Sequence, residues 1–317
     1  MANPENPRPI LILGGTGVFG TLIAEDLADL PLVIASRNLD RARALAARLP
    51  NAGARAIDLA ALPDLSFASI VIHCAGPYQG QDLRVVEACA RAGAWYVDIA
   101  DAQDYLAKLR GRPRVLGGMS TIPALVVTLA RGLGPGPVRA FLYMGNRNEK
   151  GAAAIRSLLE GIRRGYWRER EYVDFPFGRR PMHTFESADP AIAFKCGFDL
   201  DFVNRGFALL RELFRMGFPL PPGGPMIRLS NTFRGLGGGK GCLMVAVGSS
   251  TGWERGGRRA WVIAEPRGQR VAALPAALAA RRIWEGRELR PLPDTFEPGE
   301  LEAALRARGF EVGRDES

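Results

Sequence analysis

Gly15, Gly17 and Gly20 stand at the spacing G-x-G-x-x-G within Gly14-Gly15-Thr16-Gly17-Val18-Phe19-Gly20. An apolar run, Pro9–Gly14, precedes them, and Val18, Phe19, Leu22, Ile23 and Leu27 then repeat at helical spacing. Strand, glycine turn and helix start are the context this spacing requires. The first glycine permits the tight turn, the second admits a phosphate close to the backbone, and the third lets helix and strand touch. Unpaired N–H groups and the dipole at the helix start favour negative charge there. Gly14, Gly15, Thr16, Gly17, Val18 and Phe19 are therefore expected to hold the pyrophosphate of a dinucleotide. The alternative is a glycine turn that holds nothing.

The type of dinucleotide is read about 20 residues further on, where NAD sites place an acid on the ribose 2′-hydroxyl. Arg37 lies 20 positions after Gly17, in Ala35-Ser36-Arg37-Asn38, and no carboxylate is present. An arginine preceded by a hydroxyl suits a 2′-phosphate, so Ser36 and Arg37 point to NADP(H), with Arg41 able to assist. Ligands in open α/β sheets lie beyond the carboxyl ends of the strands. That rule places Asp58 and Leu59 near an adenine edge, and Cys74, Ala75 and Gly76 near the ribose and nicotinamide.

The proton that accompanies a hydride needs an acid or a phenol. Tyr78, Asp98 and Asp101 are the candidates, each with a structural alternative as packing residue or helix cap. Ser120 and Thr121 follow the sixth strand and are weaker candidates. His73 reads as a core or cofactor-lining residue, and His183 as structural. Two histidines so far apart make no metal site without several carboxylates, and none is expected. Lys240, in Gly237-Gly238-Gly239-Lys240-Gly241, is able to join a loop around an anion, although a flexible hairpin loop is the favoured reading.

The elements that must position these residues alternate regularly. Short apolar runs at Pro9–Gly14, Leu32–Ala35, Ala54–Leu59, Ser69–Ala75, Ala94–Ile99 and Arg114–Gly118 read as strands. Amphipathic helices separate them, one capped by Asn38 and one running from Gln81 to Ala92 and ending at Gly93. Strands this apolar want both faces covered, which predicts a doubly wound parallel α/β sheet of Rossmann type. After a helix over Thr121–Leu133 the pattern changes. Val138–Met144, Met226–Phe233, Cys242–Ser249 and Arg258–Ala264 read as strands among helical stripes, the last two forming a hairpin through Ser250–Gly257. A second, α+β domain on a mainly antiparallel sheet follows from this. The expected division is 1–122 for the dinucleotide-binding domain and 123–270 for a substrate or dimerisation domain. C-terminal helices over 271–317, at Leu274–Trp284 and Glu300–Arg308, are expected to return to the first domain.

Several of these segments together resemble a family. Ile10–Gly20, Ala35–Asn38, Ile72–Tyr78 (IHCAGPY) and Gly93–Asp98 (GAWYVD) are similar to the NADP-binding domain of the saccharopine dehydrogenase-like family. That family has a C-x-G-P-[FY] turn after the fourth strand, here Cys74 to Tyr78, and an AG-x-x-Y-V-D strand, here Ala92 to Asp98. Where its members often continue with Thr-Gly-Glu, this chain has Ile99-Ala100-Asp101. The resemblance covers about the first 125 residues, through Pro123. It implies an oxidoreductase with a Rossmann domain and an inserted substrate domain.

Composition excludes other classes. The 317 residues carry 47% hydrophobic and 24% charged side chains, an ordinary globular balance. The longest apolar runs, such as Leu243–Val247, fall far short of the ~20 residues of a membrane span. Met1–Pro9 lacks an apolar core, so no signal peptide is expected. Cysteines at 74, 89, 196 and 242 match neither zinc nor disulfide spacing, which suits free thiols and a cytoplasmic location. The net charge is +9, and 38 of the 42 cationic side chains are arginines. They are interleaved with acids and no nucleic-acid module accompanies them, so an anionic small molecule is favoured over nucleic acid. The reading that results is an NADP(H)-dependent oxidoreductase. It moves a hydride to or from a small substrate bound between the domains, for which a carboxylate is one option. A homodimer is compatible with it. The alternative is a non-catalytic NADP(H)-binding sensor that acts through a protein partner.

Overall fold

The computed structural model describes residues 8–148, 150–219, 232–233, 235–248, 257–265 and 267–316. Its first sheet is built from β1 (Ile10–Leu13), β2 (Leu32–Ser36), β3 (Ala52–Ala56), β4 (Ile70–His73), β5 (Trp95–Asp98) and β6 (Val115–Leu116). Between them run α1 (Val18–Asp26), α2 (Leu39–Ala46), α3 (Arg84–Ala92) and α4 (Gln103–Leu109). The strands pair in the order β3-β2-β1-β4-β5-β6, all parallel. This is the doubly wound order of a Rossmann sheet, with its reversal between β1 and β4. Every side chain of β1 and β4 is at most 1% exposed, as strands covered on both faces require.

Local chemistry sets the helix boundaries. Asn38 caps α2 by accepting the Arg41 N–H at 3.0 Å, as its position before the apolar stripe predicts. The helix expected from Gln81 begins at Arg84 instead, because Asp82 Oδ1 takes the Arg84 N–H at 3.1 Å. Asp58 and Leu59 lie just past the third strand, where Asp58 accepts the Ala60 N–H and starts a short 3-10 turn. The single helix expected over Thr121–Leu133 is a π-helical segment, Thr121–Val126, leading into α5 (Val127–Leu133).

The second sheet has seven strands: β7 (Val138–Met144), β8 (Arg168–Phe175), β9 (Gly178–Thr184), β10 (Ile192–Phe198), β11 (Gly241–Val247), β12 (Arg258–Ala264) and β13 (Glu311–Glu316). Helices α6 (Ala152–Arg163), α7 (Asp201–Arg215), α8 (Gln269–Trp284) and α9 (Pro298–Arg306) belong to this half of the chain. The sheet order is β13-β12-β11-β7-β10-β9-β8, antiparallel except for the β7–β10 pair. Its core joins Phe141, Tyr143, Met182, Met244 and Ile263.

Strands β8, β10 and β13 have no counterpart in the sequence reading. β8 is an edge strand in which only Val173 and Phe175 are buried, and edges accept charges that hide the alternation. The strand expected over Met226–Phe233 and the Ser250–Gly257 connection lie almost wholly outside the described residues. Thr232 and Phe233, which are described, are not in a strand. The chain divides into two compact units, 1–125 with 272–295, and 126–271 with 296–317. The tail expected to return whole to the first domain is thus divided: most of α8 clusters with the first unit, α9 and β13 with the second. Among the described residues no helix is long and apolar enough to cross a membrane.

Candidate functional site

In the first unit, the carboxyl ends of β1 and β4 meet at the glycine turn. Gly14 has φ +72°, and a Cβ there would stand 2.9 Å from the backbone of Ala75. The Cys74 N–H donates to Leu13 O at 2.8 Å and joins the two strand ends. Gly15 N–H donates to Ala35 O at 3.0 Å, tying the same turn to β2. At Gly20 a Cβ would lie 2.5 Å from Gly14 O, so only glycine lets α1 pack against the turn. Gly17 is exposed and supplies no side-chain cap, and the first-turn N–H groups of α1, at Val18 and Phe19, have no acceptor inside the helix. A bare backbone cradle at a helix start is what a pyrophosphate needs, so the residues present fit a dinucleotide.

One step along the edge, Thr16 Oγ1 donates to Ser36 Oγ at 3.1 Å, and the Asn38 N–H donates to the same oxygen at 3.3 Å. These bonds set Ser36 beside the glycine turn. Arg37 and Arg41 are exposed next to it, and among the described residues neither has a carboxylate within 4 Å. The structure therefore brings Gly14 to Phe19, Ser36, Arg37, Cys74, Ala75 and Gly76 to one end of the sheet. Asp58 and Leu59 belong to that end too, past β3.

The loop after β4 is held by two of the chain's own side chains, His73 and Gln81. His73 is fully buried, and its Nε2 lies 3.0 Å from Gln81 Oε1. The Gln81 amide nitrogen donates to Ala75 O at 2.9 Å and Pro77 O at 2.6 Å, so its oxygen accepts and His73 donates from Nε2. Burial pushes the His73 imidazole down to about 4, which keeps it neutral. Gln81 is the positioning residue that the sequence reading missed. A single glutamine has no spacing signature, and only the folded loop reveals it.

The three expected proton carriers fare differently. Tyr78 is 5% exposed, and its hydroxyl donates to His73 O at 2.6 Å, with the ring packed on His73 and Tyr105. Burial, then the Asp98 charge, raises its pKa well above the ordinary phenol range. Asp98 is fully buried, and its Oδ1 accepts the N–H groups of Ala100 at 2.9 Å and Gly118 at 2.7 Å. It ties the ends of β5 and β6 together. Burial pushes its carboxyl up to about 6, against the pull of those two N–H groups. Asp101 is the one of the three that is exposed. Cys74 is half-buried, and burial followed by the Asp98 charge raises its thiol above the usual range, so it stays protonated. His183 is stacked on Trp167 at 5.0 Å and held down to about 4 by burial, a core histidine.

The sheet order and the glycine turn define the class: a Rossmann-type dinucleotide-binding protein. Residues 10–115 match the family model of the saccharopine dehydrogenase NADP binding domain. No curated protein matches the chain. Among solved structures, FolM alternative dihydrofolate reductase 1 from Brucella canis, complexed with NADP, is 22% identical over 30% of this chain at a TM-score of 0.24. This chain spans 56% of its length. The myo-inositol dehydrogenase from Lactobacillus casei is 11% identical over 97% of this chain and 96% of its own, at a TM-score of 0.41. The amine dehydrogenase from Mycobacterium smegmatis is 10% identical over 88% and 92%, at 0.38.

Proposed function

We propose that the protein is an NADP(H)-dependent oxidoreductase that exchanges a hydride with a small, carboxylate-bearing substrate. The observation that carries the reading is the bare glycine cradle at the sheet's reversal point, with an unpaired arginine beside it in place of an acid. Gly14 to Phe19 would hold the pyrophosphate through backbone N–H groups, and Ser36 and Arg37 the 2′-phosphate. Leu59 would lie against the adenine edge beside Asp58, and Cys74 to Gly76 beside the ribose and nicotinamide. The bound nicotinamide supplies the hydride chemistry. The chain's own part is to orient that ring on the loop that Gln81 holds and to move one proton. Tyr78 and Asp98 are buried, whereas Asp101 is exposed, so Asp101 is the residue assigned to proton exchange with solvent. The arginine-borne net charge of +9 supports an anionic substrate, since a guanidinium fork matches a carboxylate.

A second reading is favoured by one specific observation. Two of the three expected proton carriers are interior residues, as expected of a sensor that binds NADP(H) without turnover. The experiment that separates the two follows NADPH absorbance at saturating cofactor across panels of oxo acids, imines and neutral carbonyls. Turnover of oxo acids that falls at least tenfold in Asp101→Asn supports the oxidoreductase. Turnover confined to neutral carbonyls would refute the carboxylate, and tight NADPH binding with no turnover in any panel would establish the sensor.

A further inference from the structure

The second unit contains a cavity of about 710 Å³ where the ends of β7 and β10 meet the β8–β9 hairpin. That volume lies in the range of small-molecule sites, roughly 300–1,000 Å³. Five cations line it, Arg170, Arg179, Arg180, Arg205 and Lys240, against two carboxylates, Asp199 and Asp201. Neither carboxylate neutralises the whole group. Asp201 is shared by Arg170 and Arg205, each at 2.7 Å. Asp199 is spent on backbone, accepting the N–H of Asn146 at 3.0 Å and that of Gly238 at 2.6 Å. Among the described residues, Arg179 and Arg180 have no carboxylate within 4 Å, and Lys240 reaches only Glu265 at 3.9 Å.

These three cations lie over aromatic faces. Arg180 stands 5.7 Å from the Tyr143 ring and 5.4 Å from that of Phe177, and Lys240 is 5.3 Å from the latter. Arg179 lies over Tyr172 at 5.6 Å. Arg180 also donates to the carbonyls of Arg179 and Phe177, which fixes its fork at the hairpin turn. The Gly237–Gly241 loop that carries Lys240 is pinned rather than loose. Asn148 donates to Gly239 O at 3.0 Å, and Arg147 N–H donates to Gly238 O at 3.0 Å. Arg180 held at the hairpin turn, with Arg179 and the weakly paired Lys240 beside it among flat apolar rings, matches an anion that has a flat body.

We infer that this cavity is a binding site for a small organic dianion, a dicarboxylate or a phosphate ester with a planar apolar body, gripped by Arg179, Arg180 and Lys240. The inference concerns the second unit alone and does not rest on the oxidoreductase reading. Alternating cations and aromatic rings also suit single-stranded nucleic acid. The pocket is open to solvent, but its three cations gather around the β8–β9 hairpin and the rings of Tyr172 and Phe177, a span that favours a molecule of small size.

The test is calorimetric titration of the full chain, without NADPH, at physiological salt. The probes are isophthalate, phenyl phosphate, inorganic phosphate, benzamide and an octathymidylate. Saturable one-to-one binding of isophthalate or phenyl phosphate is expected, at least tenfold tighter than inorganic phosphate or benzamide. The tighter of the two names the source as carboxylate or phosphate ester. Arg179→Gln, whose side chain makes no backbone bond, should weaken binding at least tenfold with an unchanged melting temperature. Arg180→Lys, which keeps the charge and loses the fork, should weaken it several-fold. Inorganic phosphate binding as tightly as the aryl dianions, dianion binding unchanged in Arg179→Gln, or no saturable dianion binding would overturn the proposal. Octathymidylate binding a hundredfold tighter than either dianion and lost in Arg179→Gln would replace it with a nucleic-acid surface.

Discussion

Cofactor choice is a property of single residues. Arg37 is exposed beside Ser36 and the glycine turn, and no carboxylate competes for it within 4 Å among the described residues. A charge-assisted contact between guanidinium and phosphate contributes about 1.5–3 kcal/mol, or roughly ten- to a hundredfold in affinity. The purified chain should therefore bind NADPH ten- to a hundredfold more tightly than NADH in a fluorescence titration. Arg37→Asp should abolish or reverse that preference, because its carboxylate repels a 2′-phosphate and accepts from a 2′-hydroxyl. Equal affinities in both proteins would take Arg37 out of the site. The residue scale also shows why a type and a place along the chain do not make a catalyst. Tyr78 and Asp98 sit at the strand ends where a proton carrier belongs, yet both side chains turn inward to satisfy backbone groups.

At the scale of the element, the β4–α3 loop depends on a neutral histidine. His73 donates to Gln81, whose amide holds Ala75 O and Pro77 O. Its imidazole stands near 4, below the ordinary value of about 6.5. A depressed value means that the neutral form belongs to the fold. Its contribution is complete above about pH 6.5 and is lost progressively as pH falls toward 4. NMR titration should find the His73 ring neutral down to about pH 4, and a midpoint near 6.5 would disprove its role in the loop. Gln81→Ala leaves the buried Nε2–H unpaired, a loss of about 1–3 kcal/mol in denaturant unfolding at pH 7. NADPH affinity should fall with it, since the Cys74–Gly76 backbone loses its brace. Unchanged stability and affinity would show that the amide is idle.

At the scale of the whole molecule, each of the two units draws on the C-terminal part of the chain. In the first unit α8 contributes Leu274, Ala276, Ala277, Ala279 and Ala280, each at most 1% exposed. Arg281 grips Asp29 through two bonds of 2.6 and 2.8 Å. In the second unit β13 pairs along β12, and Arg314 of that strand bonds the buried Glu302 of α9. A chain ending at residue 271 therefore removes a core helix from one unit and a strand from the other. Burying one large aliphatic side chain stabilises by about 1.5–3 kcal/mol, and the loss of several exceeds a net stability of roughly 5–15 kcal/mol. The truncated chain should show no cooperative melting transition. An unchanged melting temperature would mean that neither unit needs the tail.

What the amino-acid order determined by itself was the local and periodic part. A glycine turn between an apolar strand and an amphipathic helix, an arginine 20 residues on, and the caps at Asn38 and Gly93 are short-range facts. Steric and hydrogen-bonding rules over a few residues suffice to read them. The six-stranded sheet followed because strands apolar on both faces tolerate only one kind of surrounding. Tertiary structure alone decided the rest. β8 and β13 are edge strands whose charged side chains erase the period-two pattern, and their existence depends on pairing with partners distant in sequence. The inward turn of Tyr78 and Asp98 and the bracing by Gln81 depend on which backbone groups lack partners after the loops close. The gathering of Arg179, Arg180 and Lys240 spans some sixty residues of chain. No spacing rule reaches that far, because such distances are set by how strands pair and not by how they are ordered.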